Sequence, residues 1–364
     1  MKHVEVYREP GQFAGWPANF GIWSWGDEIV VGYIVGKLDT ETTFFHARDK
    51  SYPFVPYQSR SLDGGETWTS VPIPATTPGN RGFSADDLVD DHLKVAPIID
   101  DSNRPQPFTG NVNLMNPDFA WLCARTGLGA GSVSWYYTSL DRCRSWQGPY
   151  ALPDFGMSGL ANRTDYQVID SLTALMFVTG AKPNGKEGTV FCAETVDGGR
   201  TFAFKSWISP GRDTGFSIMP ASVRLANGTL LVATREREVT PDKTALDWID
   251  LFRSEDNGAS WTHISRPVPA TGRSGNPPAM IELRDGRLCM AYGHRTEPNR
   301  ICARLSEDQG LTWSEEIVLR VDGGNHDIGY PRIVQRSDGQ VVVVYYFNDE
   351  PSGERYIAAT IWQP

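Results

Sequence analysis

Cysteine is scarce and unpatterned in this chain. Its five cysteines (Cys123, Cys143, Cys192, Cys289 and Cys302) show no CxxC or CxxH spacing, and their number is odd. That argues against a disulfide framework and against a zinc site, and leaves buried reduced thiols as the expectation. No run of about 18 apolar residues occurs, so no membrane-spanning helix is expected. Positive charge is in deficit: Lys and Arg number 34 against 44 Asp and Glu, a net charge of −10. Nucleic acid is therefore not expected as a general partner, although a local arginine cluster for an anionic ligand stays open. No long segment carries a 3.6-residue apolar period, which argues against helices. The opening MKHVEVYREPG is charged and has no apolar stretch of the signal-peptide kind. A cytoplasmic location is the expectation, or a secreted one if a leader has been removed.

Glycine (36) and proline (25) are plentiful, and 40% hydrophobic residues across 364 positions suffice for a large core. One eight-residue pattern recurs: SLDGGETW at Ser61–Trp68, TVDGGRTF at Thr195–Phe202, SEDNGASW at Ser254–Trp261 and SEDQGLTW at Ser306–Trp313. A fifth copy, SLDRCRSW at Ser139–Trp146, carries Cys143 where the glycine should be. Repetition on this scale signals a repeat architecture. A second frame runs alongside it. Pro220, Pro278 and Pro331 each precede by eight residues a glycine (Gly228, Gly286, Gly339) in an Asn-Gly or Asp-Gly turn. Such turns join antiparallel strands.

Looser hairpins start near Trp16-Pro17, Pro117 and Arg163, which makes six. Each of the first five is followed by one copy of the eight-residue turn. The sixth is followed by a single strand, Arg355–Trp362, leaving one strand to be supplied by the N-terminal His3–Arg8. The pattern predicts an all-β fold: one six-bladed β-propeller over residues 1–364, with four-stranded antiparallel blades and the last blade closed by the N-terminal strand. The first interval between repeated turns is 78 residues against 52 to 59 for the others. A loop insertion at about 72–107, holding the acidic Asp86–Asp91, accounts for the excess. In the repeated turn, Asp accepts amide hydrogen bonds, Gly supplies the backbone conformation and Trp packs between sheets. Asp63, Asp197, Asp256 and Asp308 thus read as structural, not catalytic.

Propeller ligands are expected at the axis, where the innermost strands begin. Arg237 and Arg295 occupy one frame position, each 17 residues after its proline. Arg163 and Asp165 open the third blade and should reach the same face. Glu236, between Arg235 and Arg237, should point away from both.

The eight-residue turns resemble the Asp boxes of the sialidase (neuraminidase) superfamily of BNR-repeat proteins, which are six-bladed propellers. The resemblance covers essentially the whole chain and implies further roles. Tyr330, nine residues before Gly339, stands where a sialidase has its tyrosine nucleophile, an exception to the usual pair of carboxylates. Arg235 resembles an arginine that clamps the substrate carboxylate, and Arg300 a further one. Asp49, twelve residues before Ser61, stands near the acid/base aspartate, flanked by His46 and Arg48. Two positions depart from the family pattern. Trp16 stands in place of the first arginine of the triad, and Met219 in place of the glutamate that activates the tyrosine, a role for which Asp165, Asp250 and His326 are candidate substitutes. The resemblance implies an exo-glycosidase that removes a terminal acidic sugar without metal or cofactor. The departures keep open a non-catalytic carbohydrate-binding propeller. They also keep open a lyase acting on uronic acids, with His46, His294 or His326 and Tyr330 abstracting a proton.

Overall fold

The computed structural model describes residues 1–41, 46–78 and 104–364. The chain opens with β1 (Lys2–Tyr7). Blade one contains β2 (Gln12–Gly15), β3 (Ile22–Trp25), β4 (Glu28–Lys37), β5 (Val55–Ser61) and β6 (Thr69–Pro72). Blade two contains β7 (Ala120–Arg125), β8 (Ser134–Ser139) and β9 (Gln147–Ala151), and blade three β10 (Tyr166–Val168), β11 (Ala174–Ala181), β12 (Glu187–Thr195) and β13 (Ala203–Trp207). Blade four contains β14 (Phe216–Arg224), β15 (Leu230–Val239), β16 (Ala245–Ser254) and β17 (Thr262–Val268). Blade five contains β18 (Ala279–Glu282), β19 (Leu288–His294), β20 (Arg300–Ser306) and β21 (Ile317–Arg320). Blade six contains β22 (Gly329–Gln335), β23 (Val341–Phe347) and β24 (Tyr356–Trp362), with β1 as its outermost strand in the order β1-β24-β23-β22. The six sheets form the expected propeller, and the N-terminal strand closes it with Val4 opposite Ala359. Both ends of the chain are thereby tied into one sheet.

Two blades depart from four strands. In blade one the innermost strand is broken. β2 pairs with one half of β4 and β3 with the other, around a single 3-10 turn at Pro17–Asn19. In blade two the residues ahead of β7 bond outward instead. Val112 N–H reaches the Gly198 carbonyl at 3.1 Å and Leu114 N–H the Ser171 carbonyl at 2.9 Å, both in blade three. No first strand forms there among the described residues. Most of the 72–107 insertion, including Asp86–Asp91, lies outside the described residues.

Strands such as β23 (VVVVYYF) are buried at every position. A middle strand is covered on both faces by the neighbouring blades, so it has no polar face to show. The five cysteines are all buried and free.

The repeated turns tie the third strand of a blade to the fourth. In Ser306–Trp313 the Ser306 hydroxyl donates to Asp308 Oδ1 at 2.9 Å and accepts from Gly310 N–H at 2.8 Å. Asp308 accepts from Thr312 N–H at 2.8 Å and from its hydroxyl at 2.6 Å. Trp313 packs against the cluster of buried residues that blades four and five share, which includes Leu251 and Leu288. The copy at Ser139–Trp146 keeps the same bonds, Ser139 to Asp141 at 2.8 Å and Ser145 to Asp141 at 2.6 Å. Cys143 takes the left-handed conformation (φ 61) that glycine takes elsewhere, as in Gly310 (φ 91). The copy is degraded in sequence but not in shape.

Candidate active site

The inner strands begin with a backbone device. Trp16, Met219 and Tyr330 each precede a proline and each has positive φ (60, 54 and 49). Pairing of β14 with β15 slips between Ile218 and Ala221, and that of β22 with β23 between Gly329 and Arg332. A bulge at this point re-aims one side chain out of the strand's alternation, and left-handed backbone at a bulky residue persists only where its surroundings enforce it. Asn276 supplies that enforcement at Tyr330. Its side chain accepts from Tyr330 N–H at 2.9 Å and donates to the Ile328 carbonyl at 3.0 Å. A Cβ on Gly329 (φ +107) would lie 2.3 Å from the Asn276 amide, so only glycine fits there.

Tyr330 is buried, and its hydroxyl accepts a hydrogen bond from Arg235 Nη1 at 3.1 Å. The Arg295 guanidinium lies 5.4 Å from its ring centre. Burial acts to raise the phenol's pKa, but the charges of Arg235, Arg295 and Arg163 outweigh it and the net shift is downward. Met219 stands beside the same arginine, its sulfur 3.5 Å from Arg235 Nη1. The Arg235 Nε is buried with no hydrogen-bond partner, while its Nη2 donates to the Ser274 carbonyl.

Behind Tyr330 lies a network built on Asp327, which is fully buried. Its carboxylate accepts from Arg355 Nε at 2.9 Å and from the Tyr346 hydroxyl at 2.8 Å, and lies 3.1 Å from His46 Nδ1. Burial would raise the Asp327 carboxyl, but His46, Arg355 and Arg295 overturn this and hold it well below the usual carboxylate range. His46 is pushed down to about 4, chiefly by burial, and its ring meets Tyr330 edge-on at 6.5 Å. Trp16 donates its indole N–H to the same His46 nitrogen at 3.1 Å. Tyr346 is raised well above its ordinary value by burial.

The candidates read from the sequence fall into three groups. Tyr330, Arg235, Arg295, His46 and Arg163 surround one locus. Arg163 is pinned by Asn19 at 3.1 Å and Glu187 at 2.7 Å, and its charge reaches the phenol. Arg237 is one step out. It shares the Phe216 ring with Arg235 (4.9 and 5.2 Å) and is gripped by both oxygens of Asp247 at 2.9 and 3.0 Å. Glu236 points the other way, buried against Arg212 and Thr234.

The other three bond elsewhere. Arg300 is bound to Glu316 at 2.7 Å, which also meets His294. Asp49 is bonded to the amide and hydroxyl of Ser51 and faces Lys37 at 3.7 Å. The Ser51 hydroxyl, above all, holds its carboxyl below the ordinary value. Asp165 lies further along the inner strands, in an axial chamber of about 280 Å³ bordered by five blades, with Ser222, Met280, Arg332 and Trp23. It accepts from Ser222 N–H at 3.1 Å, and burial raises it to about 6. Arg332 beside it donates to the carbonyls of Ala18, Phe20 and Thr164, knotting three blades at the axis.

Asp327, Tyr346, Arg355 and Asn276 were not singled out from the sequence. One signal was present: Asn276 stands just ahead of Pro277, which holds in blade five the frame position of Met219 and Tyr330.

A six-bladed propeller with Asp-box turns and a cationic, tyrosine-centred cluster where its inner strands begin defines the class. The chain belongs to the BNR repeat-like domain family, which it matches over residues 119–343. The superfamily resemblance carried by the Asp boxes is thereby borne out. Among solved structures it is similar to a Dyadobacter fermentans protein of unknown function (22% identity, TM-score 0.71, covering 99% of this chain and 97% of that one). It is also similar to a Penicillium chrysogenum α-L-arabinanase complexed with arabinobiose (12% identity, TM-score 0.63, 100% and 98% covered). A third is the K499G mutant of the NanB sialidase of Streptococcus pneumoniae (12% identity, TM-score 0.58, 94% and 68% covered). At these identities the likeness is one of fold. No curated protein matches the sequence.

Proposed function

We propose that the protein is a glycoside hydrolase that removes a terminal, carboxylate-bearing sugar, with Tyr330 as nucleophile. The observation that carries this reading is the Tyr330 phenol, lowered by three arginines and bonded to Arg235 at 3.1 Å. An ionised phenol attacks the anomeric carbon while the leaving oxygen takes a proton. Asp49 is the proton donor in this reading, once substrate replaces Ser51 as its partner, and the base when water releases the sugar. The unpartnered, buried Nε of Arg235 and the positive field of Arg163 and Arg295 favour an anionic sugar. The shared fold with a sialidase and an arabinanase supports a carbohydrate substrate.

One observation favours a second reading, a neutral arabinan-type sugar. Every nitrogen of Arg295 already donates to a protein oxygen, to Ile328, Gly275 and Tyr346. The test is a panel of umbelliferyl glycosides, acidic and arabinosyl, whose turnover is lost in Tyr330→Phe. An unsaturated product would mean elimination, and binding without turnover would reduce the site to a binding propeller.

A further inference from the structure

We propose that Asp327 is a positioning residue for the reaction: its carboxylate fixes the blade-one segment that carries Asp49 to the strand that carries Tyr330. This rests on the glycosidase reading, in which Asp49 is the proton donor and Tyr330 the nucleophile. Asp327 itself cannot meet the sugar. It is 0% exposed, and a carboxylate has about four acceptor positions, which four neighbours occupy. Oδ1 accepts from the Tyr346 hydroxyl at 2.8 Å and lies 3.1 Å from His46 Nδ1. Oδ2 accepts from Arg355 Nε at 2.9 Å and from Ala47 N–H at 3.3 Å.

The four neighbours come from two blades. Tyr346 is on β23 and Arg355 just ahead of β24, both in blade six, while His46 and Ala47 lie in blade one between β4 and β5. From Ala47 onward the chain runs as a narrow ribbon. The Ala47 carbonyl accepts from Asp39 N–H at 3.3 Å, Arg48 pairs with Leu38, and Asp49 N–H donates to the Lys37 carbonyl at 2.8 Å. Asp49 is thus two residues from one grip of Asp327. On the other side, Tyr330 follows Asp327 by three residues, and Asn348 Nδ2 holds the Asp327 carbonyl at 2.9 Å. One carboxylate therefore sets the offset between the two reacting groups.

A buried ion pair is weak ground for stability, because desolvation offsets most of the attraction. The side chains of Asp327 and Arg355 are both 0% exposed, so geometry is the better reason for the pair. A reacting group displaced by about 1 Å loses about 10²-fold in rate. The backbone of the gripped segment agrees. His46 has left-handed conformation (φ 55), which a bulky residue keeps only where its surroundings enforce it. Asp327 and the Trp16 indole, each 3.1 Å from His46 Nδ1, supply that enforcement.

The test uses the full chain and compares kcat/KM for benzyl and nitrophenyl glycosides of one sugar, N-acetylneuraminic acid and arabinose in turn. A nitrophenyl oxygen leaves with little help from a proton, whereas a benzyl oxygen needs a well-placed acid. Asp49→Ala is expected to lower the benzyl-to-nitrophenyl ratio by about 10²-fold. Asp327→Asn is expected to lower it by about tenfold, since the acid is present but displaced. His46→Ala, which leaves the Asp327–Arg355 pair in place, is expected to do the same. His46→Asn, which keeps a donor and tolerates left-handed backbone, is expected to restore most of the ratio. A purely structural role would lower both rates alike and leave the ratio unmoved. A ratio that falls in Asp49→Ala but holds in Asp327→Asn, or in His46→Ala where melting shows Asp327→Asn unfolded, overturns the positioning role alone. A ratio unmoved in Asp49→Ala overturns the assignment of Asp49, and turnover of neither sugar by the parent overturns the glycosidase reading; the proposal falls with either.

Discussion

Tyr330 and Tyr346 sit with ring centres 5.9 Å apart, and their phenols are pushed in opposite directions. Both are buried, so burial cannot be what separates them. Arg235 donates to Tyr330, whereas Tyr346 donates to the anionic Asp327 and receives from Arg295. One phenol is prepared to lose its proton and the other to keep it. Titratable neighbours driven apart in this way are a mark of assigned chemical roles.

Tyr330→Phe removes the reacting oxygen and one hydrogen bond. Turnover of the best glycoside in the panel is expected to fall by about 10³-fold or more, while stability falls by only about 1 kcal/mol. Initial rates and urea midpoints on the same preparations check both halves.

Arg235→Met keeps the aliphatic bulk and removes the charge that most lowers the Tyr330 phenol. Burial then weighs more heavily, and the pKa moves up. The limb of the kcat/KM profile that rises with pH as the phenol ionises is expected to move to higher pH. An unmoved limb would detach it from Tyr330.

A part-buried histidine and a buried carboxyl give opposing pH dependences of stability. His46, lowered from 6.5 to about 4 mainly by burial, stays neutral in the fold where the unfolded chain takes a proton. Its contribution is whole above pH 6.5 and is lost as pH falls toward 4. Asp165, raised from 3.8 to about 6 by burial, keeps a proton that the unfolded chain releases. Its contribution is whole below pH 3.8 and is lost as pH rises through 6. Each amounts to about 3 kcal/mol, and they largely cancel between pH 4 and 6. Asp165→Asn is expected to raise stability at pH 7 and to leave a steeper decline on acidification, measured as urea midpoints at pH 4.5 and 7.

Asp308→Ala tests the assignment of the repeated carboxylates to structure. The turn loses the acceptor of Ser306 and Thr312, so stability is expected to drop by about 1–3 kcal/mol. Catalytic rates below the melting transition should not change.

The fold was legible because its signals are local. Asp-box turns and proline-to-glycine frames repeat in register, and β1 could be assigned to blade six by counting strands. The broken inner strand of blade one was not legible, because Trp16–Asn19 turns for the sake of contacts with His46 and Arg332 that are remote in sequence. Among the described residues, blade two lacks a first strand for the same kind of cause, since the residues ahead of β7 bond to blade three. In the site, Tyr330 and Arg235 could be found through the family resemblance, and Arg295 and Arg237 by frame position. Asp327, Tyr346 and Arg355 could not, because their importance lies in mutual contacts and no motif marks them. Asp49, in a loop, and Arg300, the first residue of β20, are fixed by side chains, Ser51 and Glu316, that no spacing rule announces.

The central claim is that the Tyr330 oxygen bonds covalently to the sugar. The most direct measurement is peptide mass spectrometry after incubation with a 2,3-difluorinated acidic glycosyl fluoride, in which fluorine slows release of the sugar from the enzyme. The account predicts one glycosyl adduct on the peptide containing Tyr330, absent in Tyr330→Phe. Covalent labelling at another residue, or turnover of acidic glycosides that persists in Tyr330→Phe, would contradict it.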